Sequence, residues 1–227
     1  MTCFWRRSQR AAWPVVLGGA TPLGEHFRLR PLRWRDQREF RAVRQGSREW
    51  LEPWDATTPV GSEGAVGFRE YVRLIDGNAR QGCSVPLVIQ VGGRIVGQVN
   101  ASGIIGGSFR SCTIGYWVAA PAAGRWIAPS AVAVLGDYLL APEPGGRGLH
   151  RIEINVRPEN AASLAVVRKL GLRDEGVRER LLHIDGGWRD HRSFAAAVED
   201  LAGQSLMSRV TLAYQQSHAR HTEAPPA

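Results

Sequence analysis

Hydrophobic and polar positions switch between a two-residue and a three-to-four-residue spacing along the chain, and each switch marks a change of element. FRLRPL at 27–32 alternates as a strand with one buried face does. Asp36 is placed to cap a helix running to about Gln45. Ser62 or Glu63 opens a second helix, in which Phe68, Tyr71, Val72 and Ile75 recur at helical intervals. The middle differs in kind. VPLVIQV and RIVGQVNASGI flank Gly92-Gly93, a two-residue turn suited to a hairpin, and SCTIGYWVA at 111–119 supplies a third strand. PSAVAVLGDYLL at 129–140 returns to helical spacing, with Pro129 in the first turn and Val132, Leu135, Tyr138 and Leu139 on one side. RIEINV at 151–156 is a strand. Asn160 to Leu170 is a helix with an N-capping asparagine and Gly171 at its stop. VRERLLHID and WRDHRSFAAAV form a closing hairpin through Asp185, Gly186 and Gly187.

The order β-α-α-β-β-β-α-β-α-β-β predicts a mixed α/β (α+β) fold and excludes a doubly wound parallel sheet. Without a repeat or a linker it reads as one domain over residues 25–202. Residues 1–24 form an N-terminal extension without sustained periodicity, and 203–227 a polar tail expected to be disordered.

Composition narrows the function classes. The 227 residues are 44% hydrophobic and 22% charged, enough for one full-sized core and too apolar for a largely disordered chain. The longest apolar run, 126–142, is broken by Pro129, Gly136 and Asp137 and falls short of the roughly 20 residues a bilayer span requires. The basic N-terminus carries too short and interrupted an apolar part for a signal peptide, so a cytoplasmic protein is expected. Cys3, Cys83 and Cys112 are scattered and odd in number, which suggests free thiols and no metal site. Lys169 is the one lysine among 29 lysines and arginines. The net charge of +8 favours phosphate-bearing ligands without separating a nucleotide cofactor from nucleic acid.

Five segments, LRPLRWRD (29–36), REWLEPWDATTP (48–59), GYWVAAPAAGRWIAPSAVA (115–133), HRIEINVRPENAASLAVVRKLGLRDEG (150–176) and HIDGGWRDH (183–191), together resemble the GCN5-related N-acetyltransferases, and within them the ribosomal-protein alanine N-acetyltransferase branch. The resemblance implies a central, mostly antiparallel sheet of six to seven strands with a splayed parallel pair and about four helices. It implies acetyl-CoA as co-substrate, direct attack of an amine on the thioester, and no metal. The acceptor it implies is the N-terminal α-amino group of a protein, with ribosome association possible in principle and a monomer or homodimer as the assembly.

Elementary chemistry can be laid beside that. A glycine-containing loop feeding a helix N-terminus converges backbone N–H donors on a pyrophosphate, and Gly124, Arg125, Trp126, Ile127 and Ala128 occupy such a place. Pro121 and Trp126 depart from the family's Q/R-x-x-G-x-G/A pattern. Proline has no N–H, and tryptophan stands where glycine or alanine is usual, so the remaining amides are expected to carry the phosphates. The resemblance places Tyr116, Trp117 and Val118 along the pantetheine arm, with the Val118 N–H facing the thioester oxygen. It sets Asn160 beside the same arm and Ser163 near the sulfur, as general acid or as a holder of water, while alternation along the strand turns Asn155 toward the cleft as a further cofactor-binding candidate. Glu153, alternating with Asn155 on one strand face, is the candidate base, with an arginine-paired glutamate the alternative. Trp50, Glu52, Trp54 and Asp55 make an acidic, tryptophan-rich loop able to hold an ammonium, or to be stapled as a small core. His183, Trp188, Asp190 and His191 resemble the family's signature in the closing hairpin and are read as structural or exposed, with no metal assigned to them. Two rival functions remain: acetylation of a small amine such as an antibiotic or polyamine, and a non-catalytic basic binding module.

Overall fold

A computed structural model describes residues 13–59 and 66–222 of the protein. Within them eight strands form one sheet: β1 (Leu17–Ala20), β2 (His26–Arg30), β3 (Val85–Val91), β4 (Arg94–Ile105), β5 (Ser111–Val118), β6 (Arg151–Val156), β7 (Arg173–Ile184) and β8 (Gly187–Ala197). Their spatial order is β1-β2-β3-β4-β5-β6-β8-β7, and β5–β6 is the parallel pair among antiparallel neighbours. The helices are α1 (Gln37–Gly46), α2 (Arg48–Leu51), α3 (Phe68–Arg80), α4 (Ile127–Leu140), α5 (Ala161–Lys169) and α6 (Leu206–Thr222).

Alternation along the strands divides the interior in two. Leu87, Ile89, Val99 and Ile114 face one side and pack with α4 and α6 through Ile127, Leu135, Leu139, Leu206 and Val210. Val88 and Ile95 face the other, against Leu32, Phe68, Phe40 and Tyr71 from the segment holding α1 and α3. Because both faces are covered, β3 reads as a nearly continuous apolar run. Both hairpin turns expected from glycine pairs are present. Gly92 and Gly93 have φ of 54° and 78°, and Asp185 and Gly186 have 47° and 72°. Residue 187 is already in β8, so the second turn is two residues long.

Four expectations are corrected. The sheet has eight strands because β1, inside the stretch read as an unstructured extension, pairs with β2. LGGA is too short and glycine-rich to announce a strand, and Gly19 is there for packing, since a Cβ would come within 2.7 Å of the Phe27 ring. The polar tail holds α6, which buries Leu206 and Val210 and receives the Asp137 carboxylate of α4 at its first turn, 2.6 Å from the Leu206 nitrogen and 3.1 Å from that of Met207. Asp36 precedes α1 but does not cap it. Its carboxylate accepts the Arg30 guanidinium at 2.6 and 3.0 Å and the Arg33 N–H at 2.8 Å. Cys83 is disulfide-bonded where a free thiol was expected, whereas Cys112 is free and buried. The expected helix start at Ser62 or Glu63 lies outside the described residues, and α3 begins at Phe68. No helix among the described residues is long and apolar enough to cross a membrane.

Candidate active site

The parallel ladder between β5 and β6 is short. Ser111, Cys112 and Thr113 pair with Arg151, Ile152 and Glu153, and then the strands part. On its other edge β5 stays bonded to β4, with Gly97 opposite Val118 and Ala119 donating to the Val96 carbonyl at 2.8 Å. In an antiparallel ladder successive residues point their backbone groups to opposite sides. The N–H and C=O of Tyr116 and Val118 therefore turn toward β6, into the gap. Gly97 is required for this register, since a Cβ there would stand 2.4 Å from the Trp117 carbonyl oxygen.

Two cavities open on the gap. One, of about 370 Å³, is lined by Trp50, Trp54 and Asp55 above, Tyr116 to Val118 along β5, Gly124 and Trp126 to Pro129 at the start of α4, and Asn160, Ser163 and Lys169 of α5. The other, of about 180 Å³, lies toward β6–β8 and is lined chiefly by Ile114, Ile154, Val156, Leu182 and Ile184, with Asn155, Arg157 and His191. Trp54, Tyr116, Asn160 and Ser163 belong to both. These four residues form the wall that the two cavities share.

The loop entering α4 leads backbone N–H groups to a helix N-terminus. A short 3₁₀ turn at Ala120–Ala122 is followed by Gly124 at φ 77° and Trp126 at φ 61°. The first-turn amides of Ile127 and Ala128 have no acceptor within the helix, and they sit at the positive end of its dipole. Trp126 takes a left-handed backbone that tryptophan rarely adopts, and its indole lies against Tyr214 of α6, centroids 5.4 Å apart, with Lys169 Nζ 3.9 Å from the ring centroid. Burial lowers the Lys169 pKa from its usual value. Arg125 leaves the cavity to pair with Glu25.

At the entrance to α5, Asn160 Oδ1 accepts the Ser163 N–H at 3.0 Å, the expected cap. The Tyr116 hydroxyl lies 3.5 Å from the Ser163 carbonyl oxygen, and burial pushes the phenol up to about 12 despite that contact. Above the gap, the Trp50 indole N–H donates to the Val118 carbonyl at 3.2 Å.

The sequence-predicted residues divide accordingly. Tyr116, Trp117, Val118, Gly124, Trp126, Ile127, Ala128, Asn160, Ser163, Trp50, Trp54 and Asp55 are brought to the first cavity, and Asn155 to the second. Arg125, Glu52 and Glu153 line neither. Glu153 accepts Arg178 at 2.7 and 2.8 Å, Arg151 at 3.2 Å and Asn155 at 3.0 Å. Burial alone would raise its carboxyl, but these bonds outweigh burial and hold it below the ordinary value. The arginine-paired alternative is the one the geometry supports. Glu52 pairs with Arg48 at the surface, Asp55 pairs with Arg44 of α1, and Arg157 covers Trp54 at 5.4 Å, so both of these carboxylates already have an arginine partner. Lys169, Val166 and Ala162 were missed, although their spacing along one helix face with Ser163 carries the signal.

Residues 26–173 match the model of the acetyltransferase (GNAT) domain, well over half of the chain. The chain belongs to the GNAT acetyltransferase family. Among solved structures it is similar to Mycobacterium smegmatis RimJ in complex with CoA-disulfide, at 34% identity and a TM-score of 0.79, over 89% of this chain and 96% of that one. The [ribosomal protein uS5]-alanine N-acetyltransferase of Escherichia coli is 28% identical over 156 residues, 68% of this chain and 78% of its own. A probable N-acetyltransferase of Bacillus subtilis, YjcK, is 34% identical over 107 residues, 47% of this chain and 57% of its own length. The splayed parallel pair expected from the resemblance is present, and the GNAT fold with it.

Proposed function

We propose that the protein transfers the acetyl group of acetyl-CoA to the N-terminal α-amino group of a protein, with a small first residue such as the alanine of a ribosomal protein as the acceptor. The observation that carries this is the shared wall of Trp54, Tyr116, Asn160 and Ser163 between two cavities at the parted strands. Acetyl-CoA supplies the activated acetyl group when bound. The amides of Gly124, Ile127 and Ala128 suit its pyrophosphate, and the gap-facing backbone of Tyr116 and Val118 suits the amides of its pantetheine arm. The Val118 N–H is then aimed at the thioester oxygen as charge grows there. Ser163, on the wall shared by both cavities, is the group this reading assigns as donor to the departing sulfur.

The smaller cavity, taken as the amine side, supports an N-terminus over a polyamine. Its lining holds no carboxylate among the described residues and does hold Arg157, which repels a polycation, while its mixed polar and apolar walls and small volume suit a peptide end with a short side chain. An α-amino group, with a pKa near 7.7–8.0, is also far more deprotonated at neutral pH than a lysine amine near 10.4. The deciding experiment follows thiol release from acetyl-CoA with peptides carrying a free or a blocked N-terminal alanine, beside spermidine and an aminoglycoside. Turnover confined to the free peptide supports the reading, and turnover confined to the small amines replaces it.

A further inference from the structure

His191 lies within β8 and is 2% exposed, although the hairpin that carries it is largely at the surface. Its side chain lines the amine-side cavity together with Tyr116, Asn155, Asn160 and Ser163. Nδ1 is 2.9 Å from the Arg189 carbonyl oxygen. A carbonyl only accepts, so Nδ1 carries the proton, and in the neutral ring Nε2 is left as a bare lone pair. No protein group among the described residues bonds Nε2.

We propose that His191 Nε2 is the general base of the transfer, taking the proton from the attacking amine directly or through one water. The inference rests on the acetyl transfer argued above and names the group that reading left unassigned. The new bond joins the amine nitrogen to the carbonyl carbon, and the carbon–sulfur bond breaks with its electron pair on sulfur. The proton leaving nitrogen goes to Nε2, and the thiolate takes one from Ser163 or solvent. The imidazolium then returns its proton to solvent, which also restores Ser163 where Ser163 has donated.

The surroundings fit a base that is neutral near pH 7. Burial lowers the imidazole below its ordinary value, as does Arg157. The Arg189 carbonyl, Asp190 and Glu159 act the other way without prevailing. On the adjoining strands Arg178 of β7 stands opposite His191, but its charge is spent on Glu153 of β6, and the Tyr116 phenol from β5 stays protonated. With Glu153 clamped by two arginines, His191 is the titratable group of the amine-side lining positioned to accept a proton at neutral pH.

The test uses His191→Asn, whose amide nitrogen replaces Nδ1 on the Arg189 carbonyl while no atom replaces Nε2. A fall in kcat/KM of about 100-fold or more is expected, with unchanged acetyl-CoA affinity by titration and an unchanged melting temperature. The acid limb that the wild type owes to the imidazole disappears, and the residual rate climbs with pH as the acceptor amine deprotonates. An unaltered pH profile in the variant overturns the proposal. So does a loss of rate matched by a loss of acetyl-CoA binding. Nitrogen NMR of the wild-type imidazole gives an answer independent of any acceptor. A ring protonated at Nδ1 alone at pH 7 is expected, and an imidazolium or the opposite tautomer at that pH sinks the assignment. Wild-type protein that transfers acetyl to no amine defeats the underlying reading instead.

Discussion

Asn160 Oδ1 accepts the N–H of Ser163 at 3.0 Å, and both residues line both cavities, so the cap of α5 and the wall of the site are one structure. Asn160→Ala should therefore cost about 1 kcal/mol of stability as well as turnover, while Asn160→Asp keeps the cap and loses at most a few tenths. Ser163→Ala leaves the cap intact and should lower turnover at an unchanged melting temperature. Urea unfolding and a thiol-release assay separate the two residues.

Glu153 is held by two arginines and an asparagine and faces neither cavity. Glu153→Gln should cost about 2 kcal/mol by weakening charge-assisted bonds, without shifting the pH profile of turnover. The carboxyl is held below its ordinary value in the folded state. Its contribution is thus present above the ordinary glutamate pKa and is lost as pH falls toward the folded value, and the variant should show a shallower acid-side decline in stability. A displaced activity profile in this variant would return Glu153 to the list of bases.

Trp126 combines a left-handed backbone with a ring packed on Tyr214 and Lys169. Glycine removes both the ring and the backbone cost, whereas alanine removes only the ring. Trp126→Gly should therefore be about 1 kcal/mol more stable than Trp126→Ala in denaturant melts. Equal stabilities would show that the backbone is relaxed at this residue.

The Asp137 carboxylate holds the first turn of α6 through the N–H groups of Leu206 and Met207. Asp137→Ala should cost about 1–2 kcal/mol, and hydrogen exchange should speed up first at residues 206 and 207. Uniform acceleration through the whole of α6 would mean that its apolar contacts depend on the cap.

The sheet's central hairpins were legible because Gly92-Gly93 and Asp185-Gly186 occupy positions that need positive φ, a requirement written in residue type. The cap at Asn160 was legible for the same local reason. β1 and α6 were not. LGGA gains its strand from β2, and α6 gains its place from Asp137 and the burial of Leu206 and Val210, all supplied by partners distant in sequence. In the site, the backbone donors of Val118 and the α4 entrance followed from pattern and resemblance, whereas the partnerships of Glu153, Asp55 and Arg125 are tertiary. His191 was read as structural or exposed because hairpins are usually at the surface, and its burial depends on how β8 lies between β6 and β7.

The parting of β5 from β6 leaves the sheet with an open seam at its middle, dividing it into panels of five and three strands joined by only three residue pairs. Behind the seam one apolar cluster draws Ile114 from the first panel and Ile152, Ile154 and Phe194 from the second, so the panels are tied together where their backbones are not, and the slot between them keeps its width without a ladder to hold it.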